Sequence, residues 1–185
     1  MALYGVMPWA EGERQHAGAG ERYISPLHAP TTQIGGLMAS ERILELLRRP
    51  SDPDEHDAIR ELWKTHSIAE DSRDLPGLIS TLTEDCVYTV AGTGARWEGH
   101  EGAARFYTEL LTAFPDIHFD LDYIVIGPQG VCEEAVVTAT HQGRWLDHEP
   151  TGERVEWRNA IFFPWDPVAR KFKGEMVYTD LAFPA

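Results

Sequence analysis

The chain has 185 residues, of which 30 are Asp or Glu and 16 are Lys or Arg, leaving a formal charge of −14 with histidine neutral. This balance argues against a nucleic-acid partner, because binding a phosphate backbone needs Lys and Arg to replace condensed counterions. The densest basic run, Arg48-Arg49, is followed at once by Pro50 and an acidic stretch. Apolar residues make up 43% and aromatic residues 10% of the chain, enough for a packed core, while no apolar run reaches the roughly 18 residues of a membrane span.

The opening residues, MALYGVMPWAEGE, lack the basic start of a signal peptide, and Cys86 and Cys132 stand without zinc-site spacing. A cytoplasmic protein with reduced thiols is expected. Residues 1–39 carry scattered Gly and Pro and no stable period, so 1–51 is read as an arm with one short helix, and 52–185 as the domain. Tyr4, Trp9 and Tyr23 would give the arm something to bury, and Met38 offers an alternative start. Ser40 caps the short helix, which carries Ile43, Leu44 and Leu47 on one stripe and stops at Pro50.

The best-marked helix follows. Asp52 as N-cap, Pro53 at the first helical position, and Asp54 and Glu55 in the first turn suit unpaired N–H groups and the positive dipole end. It is predicted to reach about Glu70, with Ile59, Leu62, Trp63 and His66 on its inner face. A second helix follows Asp74 through Leu78, Ile79 and Leu82, broken by Glu84-Asp85. Residues 86–91 read as a strand, 101–113 as a helix, and 117–126 as a strand leading through a Gly127–Gly130 turn into VCEEAVVTATHQG. Strands at 154–163 and 172–181 close the chain. Helices first and an antiparallel meander afterwards give an α+β domain with helices on one face of a curved sheet.

The passage DLPGLISTLTEDCVYTVAGTGARWEGHEGAARFYTELLTAFPDIHF, the strand end ATHQG, the string PTGERVEW and the closing MVYTD together resemble the SnoaL-like branch of the nuclear transport factor 2-like superfamily, over about residues 55–182. The resemblance implies a cone-shaped, cystatin-like α+β fold enclosing a pocket for a hydrophobic small molecule. Its members include cyclases, epoxide hydrolases, dehydratases, dehydrochlorinases, isomerases and non-catalytic proteins, so the fold does not choose the chemistry. A homodimer is expected, since the outer face of such a sheet often carries apolar side chains, and Glu156, Arg158 and Phe162 would share it.

IAEDSRD and the sequence downstream resemble the dehydrochlorinase arrangement, in which an aspartate at the end of the long helix orients a histidine base. That implies Asp71 and His118 as the catalytic pair. Asp71 is equally a residue of a helix-ending turn, and strict alternation puts His118 on the face away from the core unless its strand begins with a bulge. The cyclase pattern would place an acid where Ile161 stands, which counts against the usual cyclase mechanism. Trp157 and Asn159 share the alternation phase of Ile161 and are candidate ligand contacts, as are Tyr88, His141 and Tyr178. Asp180 matches a carboxylate of the limonene-epoxide hydrolase relatives, although the Arg-x-Asp they need is absent at the right spacing; it could equally cap a sheet edge. A third reading is an epoxide hydrolase or cyclase built on Asp180 and His141. His66 reads as a buried core histidine one turn before Glu70, and His100 as a helix cap.

No histidine pair has metal-ligand spacing, and no phosphate loop, dinucleotide fingerprint or GxSxG elbow occurs. The expectation is a cofactor-independent acid/base enzyme, with a non-catalytic ligand-binding or assembly module of the same fold as the alternative.

Overall fold

The computed structural model describes residues 32–34, 37–39 and 41–183, and the chain divides into two units after Leu44. The arm aromatics Tyr4, Trp9 and Tyr23 and the cap at Ser40 lie outside the described residues. Two three-residue strands, β1 (Thr32–Ile34) and β2 (Leu37–Ala39), pair antiparallel in a stretch whose composition shows no strand period. Helix α1 (Glu41–Arg48) stops ahead of Pro50, as the sequence requires.

Helix α2 (Pro53–Asp71) starts as predicted. The Asp52 carboxylate accepts the N–H groups of Asp54 at 2.9 Å and Glu55 at 3.3 Å, while Pro53 needs no partner for a missing N–H. Helix α3 (Leu75–Ser80) is capped by Asp74, which accepts from Gly77 N. It ends earlier than its pattern suggests. Leu82 already belongs to strand β3 (Leu82–Val90), and Glu84 and Asp85 sit exposed where that strand's pairing is irregular, so they mark a bulge rather than a helix end.

Strand β4 (Arg96–Glu98), absent from the sequence reading, pairs with β3 and leads into helix α4 (Gly99–Ala113). Strands β5 (His118–Gly127), β6 (Gly130–Thr140), β7 (Arg154–Asp166) and β8 (Lys171–Thr179) then build an open, curved sheet in the order β4-β3-β8-β7-β6-β5. All its pairings are antiparallel except β3 with β8. Helix α4 packs on β3 and β4, and α2 packs on β5 and β6, so the helices cover one face and enclose the core. On the other face Tyr123, Val125, Phe162, Met176 and Tyr178 are exposed.

One glycine sets the orientation of β8. Phe172 faces the core and Lys173 faces out, but the next inward side chains are Glu175 and Val177, with Met176 and Tyr178 outside. Strict alternation would give the reverse. The phase changes at Gly174, which has φ +102° and lies so close to β3 that an added Cβ would stand 2.0 Å from the Val87 carbonyl oxygen. Gly174→Ala is therefore expected to destabilise the fold by more than about 3 kcal/mol in denaturant unfolding. Gly127→Ala, whose new Cβ would meet nothing within 4 Å, should change it by less than about 1 kcal/mol. Equal effects of the two would contradict this role for Gly174.

Candidate active site

The inward residues of β7 and β8 meet the apolar faces of α2 and α4 around a cavity inside the cone. Trp157, Asn159 and Ile161 come from β7, Glu175, Val177 and Thr179 from β8, Phe106 and Leu110 from α4, and Glu70 from the end of α2. Val90, Phe114, Ile117, Phe119, Trp145 and Leu181 complete the wall. The centre of a water-sized sphere can move through about 40 Å³ of it, space for a few water molecules. Most of the lining is aromatic or aliphatic, so each polar group in it has a large effect on what can bind.

Glu175 is the most fully organised of these groups. It is 3% exposed. Its Oε1 accepts the phenol O–H of Tyr107 and lies 3.0 Å from His66 Nε2, while Oε2 has no hydrogen bond among the described residues. Behind it, His66 Nδ1 is 2.7 Å from Thr81 Oγ1, and the Thr81 hydroxyl donates to Leu78 O at 2.6 Å. Tyr88 reaches Tyr107 at 3.5 Å, the outer limit of a hydrogen bond. Burial first, and then the neighbouring Glu175 charge, push both phenols well above their ordinary range, which keeps them as O–H donors. The rings of Phe163 and Phe172 pack edge-on to His66 and close the network from water.

Two more carboxyls lie nearby. Glu70 lines the cavity and also an outer cleft formed with Trp63, Ser67, Asp71, Phe119, Leu121 and Glu133. Part of its surface stays open to these spaces, yet desolvation raises its pKa well above the usual carboxylate range, and the charges of Glu175, Glu133 and Asp71 add to the rise. Glu133, 8% exposed on β6, accepts the indole N–H of Trp63 at 2.8 Å. Burial pushes it up to about 7, with the Trp63 hydrogen bond acting in the opposite direction.

The residues singled out in the sequence are distributed unevenly around this centre. Trp157 and Asn159 line the cavity, and the Trp157 indole N–H donates to Asn159 Oδ1 at 2.9 Å. An indole N–H can only donate, so this bond fixes the amide orientation and leaves Asn159 Nδ2 as a free donor. Tyr88 is fully buried behind the cavity, in the network. His141 is also fully buried; its Nδ1 accepts the N–H of Thr151 at 3.3 Å, its Nε2 has no partner among the described residues, and burial lowers its pKa. Asp71 and His118 are both exposed, and no hydrogen bond joins them. The β5 bulge falls between Leu121 and Tyr123, too late to turn His118 inward. Tyr178 is half exposed on the outer face, and Asp180 accepts the Arg158 backbone N–H just past the end of β8, between two interior strands of the sheet.

Glu175, Glu70 and Glu133 escape the sequence reading. Glu133 is legible in principle, because it occupies the apolar phase of VCEEAVVTA with Val131, Ala135 and Val137. Glu70 continues the inner stripe of α2 one turn beyond His66. Glu175 is hidden by the bulge.

A carboxyl moved from its ordinary 4.5 to about 7 holds its proton more tightly in the folded chain than in the unfolded one. The associated stability is fully present below about pH 4.5 and is lost as pH rises to about 7. Glu133→Gln keeps an acceptor for Trp63 and removes this loss. Thermal or denaturant unfolding should find the variant more stable than wild type at pH 8, by up to about 3 kcal/mol, with the two converging near pH 4.5. A difference that does not change with pH would contradict the burial of this carboxyl.

Comparison with known proteins places this architecture. The family model of the SnoaL-like polyketide cyclases matches residues 57–167. AclR from Streptomyces galilaeus, provisionally assigned as a hydroxylase, is 24% identical over 66% of this chain and 88% of its own, with a TM-score of 0.54. A provisionally assigned SnoaL-like polyketide cyclase from Jannaschia sp. CCS1 is 20% identical over 72% of this chain and 90% of its own, with a TM-score of 0.58. A provisionally assigned ketosteroid isomerase from Kribbella flavida DSM 17836 is 15% identical over 70% and 82%, with a TM-score of 0.52. At these identities the likeness is one of fold, and no curated protein matches the chain. With the family model spanning more than half its length, the chain belongs to the SnoaL-like polyketide cyclase family.

Proposed function

We propose that the cavity binds a hydrophobic small molecule bearing a carbonyl-type oxygen and moves a proton on the carbon beside it. The supporting observation is Glu175: a carboxyl on the wall of an apolar cavity, with one oxygen held by His66 and Tyr107 and the other without a partner among the described residues. In the carboxylate form it accepts the proton as the substrate C–H bond breaks, and the electron pair moves onto the substrate oxygen. Asn159 Nδ2–H is available to that oxygen, and Glu70, whose pKa burial raises, is a second donor whenever it holds its proton. Returning the proton to the same carbon or to a neighbouring one completes an exchange or an isomerisation.

Two carboxyls with different surroundings are a physical means of holding an acid and a base in one site at neutral pH. Glu70 and Glu175 take the acid/base parts that the resemblance assigned to Asp71 and His118. Asp71 contributes through its charge, which helps keep Glu70 protonated. Trp157 acts by orienting Asn159, and His141 offers a buried Nε2 to any group that reaches it.

Deuterium uptake from D2O by a panel of small hydrophobic ketones, followed by mass spectrometry, tests the reading. Wild type should exchange at least one of them well above the buffer rate. Glu175→Gln should lose about 100-fold or more of that acceleration. Exchange no faster than buffer across the panel, or a Glu175→Gln variant as fast as wild type, would overturn it and favour the non-catalytic module.

A further inference from the structure

The hydrogen bonds behind Glu175 restrict where protons can sit. Thr81 has one hydroxyl proton, and it is directed to the Leu78 carbonyl, which can only accept. The bond between Thr81 Oγ1 and His66 Nδ1 must then carry the histidine's proton, with Nδ1–H donating to Thr81. Once Nδ1 is protonated, Nε2 either carries a second proton, making His66 an imidazolium beside a Glu175 carboxylate, or is a bare acceptor facing a protonated Glu175. Either way a single proton occupies the 3.0 Å gap between Nε2 and Oε1.

The other groups facing this gap do not supply an alternative proton. The Tyr107 oxygen also lies 3.2 Å from His66 Nε2, but its single proton is directed to Glu175 Oε1 by the shorter contact, so towards Nε2 it can only accept; Tyr88 stands behind Tyr107 at 3.5 Å. Phe163 and Phe172, roughly perpendicular to the His66 ring, offer no exchangeable proton, and Glu70 acts on the cluster through its field, with no hydrogen bond to it.

The geometry points to His66 as a positioning residue that Thr81 locks with Nδ1 protonated, so that His66 and Glu175 share one proton and Glu175 changes charge without any proton having to enter from water. This rests on the proposed role of Glu175. When Glu175 takes a proton from substrate carbon, the shared proton remains on His66 Nε2; when Glu175 gives its proton back, the starting pair is restored. The number of protons is conserved at each step. Thr81 thus decides which protonation states are available to a carboxyl that it does not touch.

Nitrogen-15 NMR of His66 in the intact chain tests the lock without any substrate, which separates its failure from failure of the proposed reaction. Wild type should show Nδ1 protonated throughout the pH range in which the fold is stable, with a slowly exchanging Nδ1–H. Thr81→Val removes the acceptor and should abolish that signature, and Thr81→Ser, which keeps a hydroxyl, should restore it. In the ketone exchange assay Thr81→Val should slow the rate on the order of tenfold and move its pH profile, less than the ~10²–10⁴ that general acid–base catalysis contributes as a whole. Thr81→Ser should stay near wild type. A wild-type His66 protonated on Nε2 alone, or a Thr81→Val variant whose Nδ1–H persists, would overturn the assignment.

Discussion

Placing carboxyl groups inside an apolar cone is costly unless each is hydrogen-bonded, paired or kept neutral, and the interior of this protein is arranged around that requirement. Glu175 is paired and hydrogen-bonded, Glu133 has the Trp63 indole and a raised pKa, and Glu70 is pushed toward its neutral form by burial and by the other two. The three groups are not independent. Any charge on Glu175 makes ionisation of Glu70 and Glu133 harder, so the cluster favours having at least one carboxyl protonated. A site with that property can donate and accept protons at neutral pH with ordinary side chains.

Backbone geometry makes the arrangement possible. The step at Gly174 changes the phase of β8, so that Glu175 enters the core and Tyr178 leaves it. The same stretch of β8 runs parallel to β3, which brings Tyr88 and, through α4, Tyr107 over the carboxyl. Helix α2 supplies the opposite wall with His66 and Glu70 one turn apart, and the Asp52 cap and Pro53 fix where that helix begins. A local feature of one strand and the register of one helix therefore converge on the same few atoms.

Much of the fold could be read from the residues, because helix caps, turn glycines and alternation are local signals. Asp52, Pro53 and the 3.6-residue stripe through Ile59 and Trp63 define α2, and alternation over 154–163 puts Trp157, Asn159 and Ile161 on one face, where they line the cavity. The site was legible only where its residues obey those periods. Tyr178 and Glu175 exchange faces through a bulge that depends on the close approach of two strands distant in sequence, which alternation along one strand cannot register. His118 illustrates the converse: simple alternation places it outside, where it is, and only a resemblance gave it a catalytic part. Glu133 shows that a single carboxylate in an apolar phase is a usable sign of an interior site.

Burial and mutual repulsion make the interior carboxyl of Glu70 hold its proton well above the ordinary carboxylate range. The most direct measurement is the carbon-13 shift of the Glu70 side-chain carboxyl as a function of pH, assigned by its disappearance in Glu70→Gln. Glu70 should titrate well above the ordinary carboxylate value of 4.5. A Glu70 carboxyl that titrates near 4.5, like one on the surface, would contradict the claim.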